Sequence, residues 1–215
     1  MRSARRLRLR FDDGSGTLKL TCPARMSRRA ALAWALDQRD WVEAQLARTI
    51  APQPFSARAS IPIEGRETII LWTEAAPRSP RLADGTLHCG GPESGLSRRV
   101  EAFLKARALE TMSAEVQEFA ERAGVQAGPV SVGDAGTRWG SCSSTGRIRL
   151  SWRLILAPPE VRRYVVAHEV AHLKHLDHGA QFKALEAQLF GPGLAQVKSE
   201  LRRIGPRLRR IGRGR

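Results

Sequence analysis

The chain has 215 residues, 42% of them hydrophobic, and a formal net charge of +15. That length accommodates one large domain or a catalytic domain with a smaller partner, and the apolar share fills a real core, which excludes disordered and fibrous classes. No apolar run approaches the ~20 residues of a membrane helix and the opening MRSARRLRLRF lacks the apolar stretch of a secretory signal, so a cytoplasmic protein without a membrane partner is expected.

The charge is concentrated at the ends. Residues 1–10 carry five arginines and no acid, and residues 198–215 carry Lys198 and seven arginines against Glu200, leaving +3 for everything between. Such ends are either solvated arms or a surface for DNA or another polyanion, which a basic cluster attracts without regard to sequence. The three cysteines, Cys22, Cys89 and Cys142, are odd in number and form no CxxC, so neither a disulfide framework nor a thiolate metal site is indicated.

In chain order, RRLRLRF and TLKLTCP alternate polar and apolar residues around DDGSG and predict a β-hairpin. From Ser27, an N-cap residue type, to about Arg48, apolar residues recur at helical spacing, giving one broken helix or two short ones. ETIILW and the hairpin-like RLADGTLHC follow, and GGPESG at 90–95 is taken as a boundary between an N-terminal accessory domain, 1–95, and a catalytic domain, 96–215. A long helix is then predicted from Ser97 to Gly124, with Val100, Leu104, Leu109, Met112, Val116 and Phe119 on its inner face. Two strands, PVSVGD and RIRLSWRLIL, flank the loop GTRWGSCSSTG. Pro158 and Pro159 open the helix EVRRYVVAHEVAHLKHL, GAQFKALEAQLF is a second short helix, and the tail from Leu194 is helical until Gly205-Pro206.

Four of the five histidines fall between positions 168 and 178. His168, Glu169 and His172 spell H-E-x-x-H, which on a helix puts both imidazoles on one face, one turn apart, within reach of a single ion. Zinc accepts neutral imidazole, and three protein ligands leave a fourth position for a water that Glu169 can deprotonate. His175 lies about 7–8 Å too far along a straight helix axis. His178 returns to the site if the helix ends near Leu176 and the chain turns across it, a turn for which Asp177 and Gly179 tolerate left-handed backbone. His178 is therefore the third ligand, and His175 is left to solvent or to a supporting role. A closed structural zinc would need a fourth side-chain ligand that the neighbourhood does not offer.

The segments RWGSCSSTGRIRLSWRLILAPPEV and YVVAHEVAHLKHLDHGAQF resemble the paired motifs of the YgjP-like metallopeptidases, zinc peptidases related to SprT, and the likeness extends over nearly the whole chain. The resemblance implies an α+β, zincin-like catalytic domain whose active-site helix carries HExxH, behind a smaller β-hairpin and helix domain. It implies one Zn2+ per chain on His168, His172 and His178, Glu169 as general base, and protein or peptide substrates. HG-x-x-F at 178–182 also resembles SprT and Spartan proteases, which act on proteins bound or crosslinked to DNA. Asp177 and Lys183 depart from the family pattern of Asn and an aromatic, and His175 stands where metzincins have glycine.

Arg138, Trp139 and Ser141, in the loop before RIRLSWRL, and Tyr164, one turn before His168, are candidate substrate-binding residues, Tyr164 serving mainly in packing. RIRLSWRL is a candidate sheet edge for an extended peptide. A Cys142 nucleophile would leave Glu169 without a role. The alternatives are a nucleic-acid-binding or scaffold protein with a degenerate metal site, or a DNA-recruited protease of SprT/Spartan type.

Overall fold

The computed structural model describes residues 6–12, 17–47 and 50–214. Two compact units emerge, residues 1–51 and 52–215. In the first, β1 (Arg8–Asp12) pairs antiparallel with β2 (Thr17–Thr21). Residues 13–16, where the turn of the hairpin is expected, lie outside the described residues, as do Arg2, Arg5, Arg48 and Arg215. Ser27 caps α1 (Arg28–Leu36), its hydroxyl accepting from the Ala30 amide at 3.2 Å, and α2 (Arg39–Ala47) follows.

In the second unit, β3 (Ser60–Ile63), β4 (Arg66–Trp72), β5 (Arg81–Ala83) and β6 (Thr86–Cys89) form a sheet in the order β3-β4-β6-β5, with only the β4–β6 pair parallel. Both hairpins turn on two residues with positive φ, Glu64-Gly65 and Asp84-Gly85, the geometry that matches the twist of the flanking strands. Ile61, Ile70 and Leu87 of this sheet share one buried cluster with Leu96, Val100 and Leu104 of α3 (Leu96–Ala123). GGPESG is thus a short link inside one core, and the unit division falls at 51/52 instead of at 95/96. The inner face of α3 steps through Leu96, Val100, Leu104, Ala108, Met112 and Val116, so Leu109, expected inside, faces solvent.

A three-stranded sheet follows, β7 (Val130–Gly133), β8 (Gly140–Cys142) and β9 (Ile148–Ser151), in the order β7-β9-β8. β9 is parallel to β7 and antiparallel to β8. Two expectations are corrected here. RIRLSWRLIL is a strand only as far as Ser151; Trp152–Leu156 is a buried 3-10 turn, a distinction the sequence hides because the polar–apolar alternation runs on through Trp152, Arg153 and Leu154. β9 is also the central strand, not an edge, because the predicted loop GTRWGSC itself supplies β8.

α4 (Pro159–Ala171), α5 (Ala180–Phe190) and α6 (Leu194–Arg210) complete the unit. Buried Arg162 of α4 binds Glu115 of α3, Nε to Oε1 at 3.0 Å. α4 stops at Ala171, short of the expected Leu176, whereas α6 runs through Pro206 to Arg210. Tertiary contacts carry α6 past its proline: Val197, Leu208 and the following Ile211 are buried, and the Arg153 guanidinium donates to the carbonyls of Leu208 (3.0 Å) and Ile211. No helix among the described residues is long and apolar enough to cross a membrane.

Candidate metal centre

His168 lies in the last turn of α4 and His172 is its C-cap residue. The chain then reverses. The Asp177 carboxylate accepts from the Gly179 amide at 2.8 Å, an Asx turn, and α5 begins at Ala180. This turn, with φ of −68° at Gly179 and no left-handed residue, returns His178 to the other two histidines; the left-handed backbone expected at Asp177 and Gly179 is not used. One ring nitrogen from each of His168, His172 and His178 lies within 4.8 Å of the others, and the Nε2 atoms of His168 and His178 are 3.3 Å apart.

The opposite ring nitrogens explain why Nε2 points inward. His168 Nδ1 is 2.7 Å from Glu186 Oε1, and His172 Nδ1 is 2.9 Å from the carbonyl of His175. Carboxylate and carbonyl only accept, so each Nδ1 carries the proton and each Nε2 keeps a lone pair for an ion. Burial lowers the His168 pKa against the pull of Glu186, which favours the neutral imidazole, the form able to bind a cation. Beneath the three rings lies the buried ring of Phe182, with centroids 5.0, 4.5 and 4.7 Å from those of His168, His172 and His178. The contribution of His175 is thus made through its backbone.

Glu186, on α5, is 2% exposed and bonded on both oxygens, to His168 and, at 2.7 Å, to Lys198 of α6. Burial alone would raise its carboxyl; the bonds from Lys198 and His168 outweigh burial and hold it below the ordinary value. Tyr164 packs edge-on to His168 and Phe190, under the Lys198 ammonium. Burial and the adjoining Glu186 raise its phenol, so it stays neutral.

Glu169 is 5% exposed, and burial pushes its carboxyl up to about 7 against the opposing charge of Arg138. It fits there because position 140 has no side chain: a Cβ on Gly140 would lie 2.4 Å from Glu169 Oε1. A cavity of about 220 Å3 opens beside it, lined by Arg138, Trp139, Tyr164, His168 and Leu201 among others. Of the substrate-binding candidates, Arg138, Trp139 and Tyr164 therefore adjoin His168 and Glu169, while Ser141 borders a different cavity. The Cys142 thiol is raised by burial and by Glu169, which disfavours a thiolate. Glu186, Lys198, Gly140 and Leu201 were not singled out from sequence.

Three converging imidazoles, two of them with Nδ1 hydrogen-bonded so that Nε2 keeps its lone pair, and a buried, proton-accepting carboxylate suit a divalent cation that takes nitrogen ligands and keeps an open position. The model of the YgjP-like metallopeptidase domain matches residues 5–204. The chain belongs to the YgjP-like metallopeptidase family. Membership brings a metal and protein or peptide substrates as general properties of the class. Comparison with curated proteins gives no match. Two solved structures have limited similarity. The metallopeptidase zymogen of Methanocaldococcus jannaschii jannalysin is 17% identical over 43% of this chain and 94% of its own, and that of Pyrococcus abyssi abylysin is 24% identical over 46% and 97%. Both have a TM-score of 0.39.

Proposed function

We propose that the protein is a zinc-dependent peptidase that uses a water as nucleophile, with His168, His172 and His178 as the zinc ligands and Glu169 as general base. The observation that carries this reading is the convergence of three imidazoles whose Nδ1 sides are hydrogen-bonded or turned away, in the same unit as a carboxylate poised to accept protons near neutrality. One zinc ion per chain would supply the Lewis acidity that acidifies a water and polarises a scissile carbonyl. Glu169 takes the proton from the attacking water and passes it to the departing amine, so no covalent acyl intermediate forms. Its value of about 7 favours exchange in both directions near neutral pH.

Arg138 lines the same cavity as Glu169 and is a cation able to donate to a substrate carbonyl, and Trp139 walls the cleft. The substrate backbone is assigned to β8, whose outer side is unpaired among the described residues and whose first residue, Gly140, touches Glu169. An extended peptide adds there as a fourth strand.

The test is metal content together with cleavage of an unfolded protein by the wild type and Glu169→Gln. The expected result is about one zinc per chain in both and cleavage lowered by a factor of at least about 100 in the variant. Equal cleavage by the two would remove Glu169 from the mechanism, and a metal-free, folded wild type would remove the ligand assignment.

A further inference from the structure

A second cavity, of about 350 Å3, lies beside Trp139 and shares Arg138, Trp139 and Gly140 with the first. Its charged lining residues are Asp134, Arg138 and Arg149. Asp134 is already engaged, at 2.8 Å from both Arg153 and Arg213. Neither the Arg138 nor the Arg149 guanidinium forms a hydrogen bond or ion pair within the described residues, although Arg138 acts on Glu169 through its charge. Two cations thus face one concave space whose carboxylate is spent on other partners.

The sheet places Arg149 with respect to a bound chain. Arg149 of β9 pairs with Ser141 of β8, so the two side chains share a face, opposite the buried Ile148 and Leu150. The guanidinium lies over Gly133 of β7, filling the space a side chain there would take: a Cβ at 133 would sit 2.6 Å from its Nε. A peptide on the outer side of β8 presents alternate side chains to the two faces. Those on the Gly140 face look toward Glu169, and the residue opposite Ser141 looks toward Arg149. The guanidinium itself leans to the β7 side, so it serves the cavity from the wall away from β8, while Ser141 and Arg138 form part of the same lining. A substrate side chain on this face therefore meets Arg149 inside the cavity, whose wall also includes Ser141.

Resting on the peptidase reading, we infer that this cavity is a specificity subsite for a substrate carboxylate, bound by Arg149 with Arg138 beside it. The carboxylate comes from an aspartate or glutamate side chain, or from a chain terminus that ends at that position. Guanidinium recognises carboxylate through paired charge-assisted hydrogen bonds, a pairing that an amide of the same shape does not reproduce.

The experiment is a series of quenched-fluorescence peptides in which one glutamate is moved along an otherwise neutral sequence. Each is paired with its glutamine counterpart, and C-terminally amidated and free-acid forms are compared. At one position, glutamate is expected to raise kcat/KM about tenfold over glutamine in the wild type, and the advantage should shrink with added salt. In Arg149→Gln the ratio falls to near one; in Arg149→Lys, which keeps the charge, part of it remains. A preference seen only in free-acid peptides assigns the carboxylate to the substrate terminus, and one seen in amidated peptides assigns it to a side chain. A wild-type ratio near one at every position and for both ends overturns the subsite, as does a ratio unchanged by Arg149→Gln. Those outcomes leave the peptidase reading standing, whereas no cleavage of any peptide by zinc-loaded protein overturns both.

Discussion

Glu186 has almost no solvent contact, yet it accepts from an imidazole and an ammonium at once. Its charge fixes which nitrogen of His168 carries the proton, and Lys198 keeps that charge in place. Glu186→Gln retains the shape but removes the charge and leaves Lys198 unpaired. Zinc affinity is expected to fall about 10- to 100-fold, read by competition with a chromophoric chelator. Gly140→Ala should do the reverse. The new methyl meets the Glu169 side chain first and displaces its carboxylate, so peptide cleavage is expected to drop about tenfold or more while zinc affinity holds. Sequence announced the two kinds of residue unequally. His168, Glu169 and His172 declare themselves by helical spacing, because one local geometry dictates both the pattern and the chemistry. Glu186 meets His168 from another helix, eighteen residues on, and Gly140 looks like any glycine in a loop until the carboxylate packed on it is seen.

At the scale of elements, periodic segments were legible and aperiodic ones were not. α3, α4 and α5 follow from apolar spacing, but β8 was hidden in a Gly- and Ser-rich stretch whose strand character comes from pairing with β9. The choice of His178 over His175 rested on helix rise, whereas the chain reverses sooner than expected, through the Asp177 carboxylate and an α4 that stops at Ala171. Arg153 is another device invisible in a linear reading. This buried cation joins the 3-10 turn after β9 to Asp134 and to the carbonyl end of α6. Burial alone would raise the Asp134 carboxyl, but the hydrogen bonds and charge of Arg153, with the charges of Arg213 and Lys105, bring it below the ordinary value. A carboxylate with a depressed folded-state pKa stabilises the fold above its unfolded value, about 3.9, and loses that contribution as pH falls through the depressed one. Asp134→Asn is therefore expected to cost about 1–3 kcal/mol at neutral pH, with the gap to wild type closing as the medium is acidified below about pH 4, in urea melts across that range.

Across the whole molecule, the C-terminal charge is woven into the structure. Arg203 pairs with Glu200, Arg207 with Glu67 and Arg213 with Asp134, while Arg209 lies over the Trp139 ring and donates to the carbonyls of Ala135 and Gly136. A solvated arm would be dispensable. Deleting residues 194–215 instead removes buried Val197, Leu208 and Ile211, each worth on the order of 1.5–3 kcal/mol, and is expected to lower the thermal midpoint sharply or prevent folding. An unchanged melting curve would contradict this packing. The distribution of parts along the chain has one more consequence. The three histidines, Phe182 and Glu186 all lie between positions 168 and 186, so bringing them together requires only short loops of chain, at small entropic cost. Gly140 and Lys198 arrive from outside that span. On the proposed assignment, the ion-holding residues thus come from a single stretch, whereas the glycine beside Glu169 and the lysine behind Glu186 are supplied by distant segments.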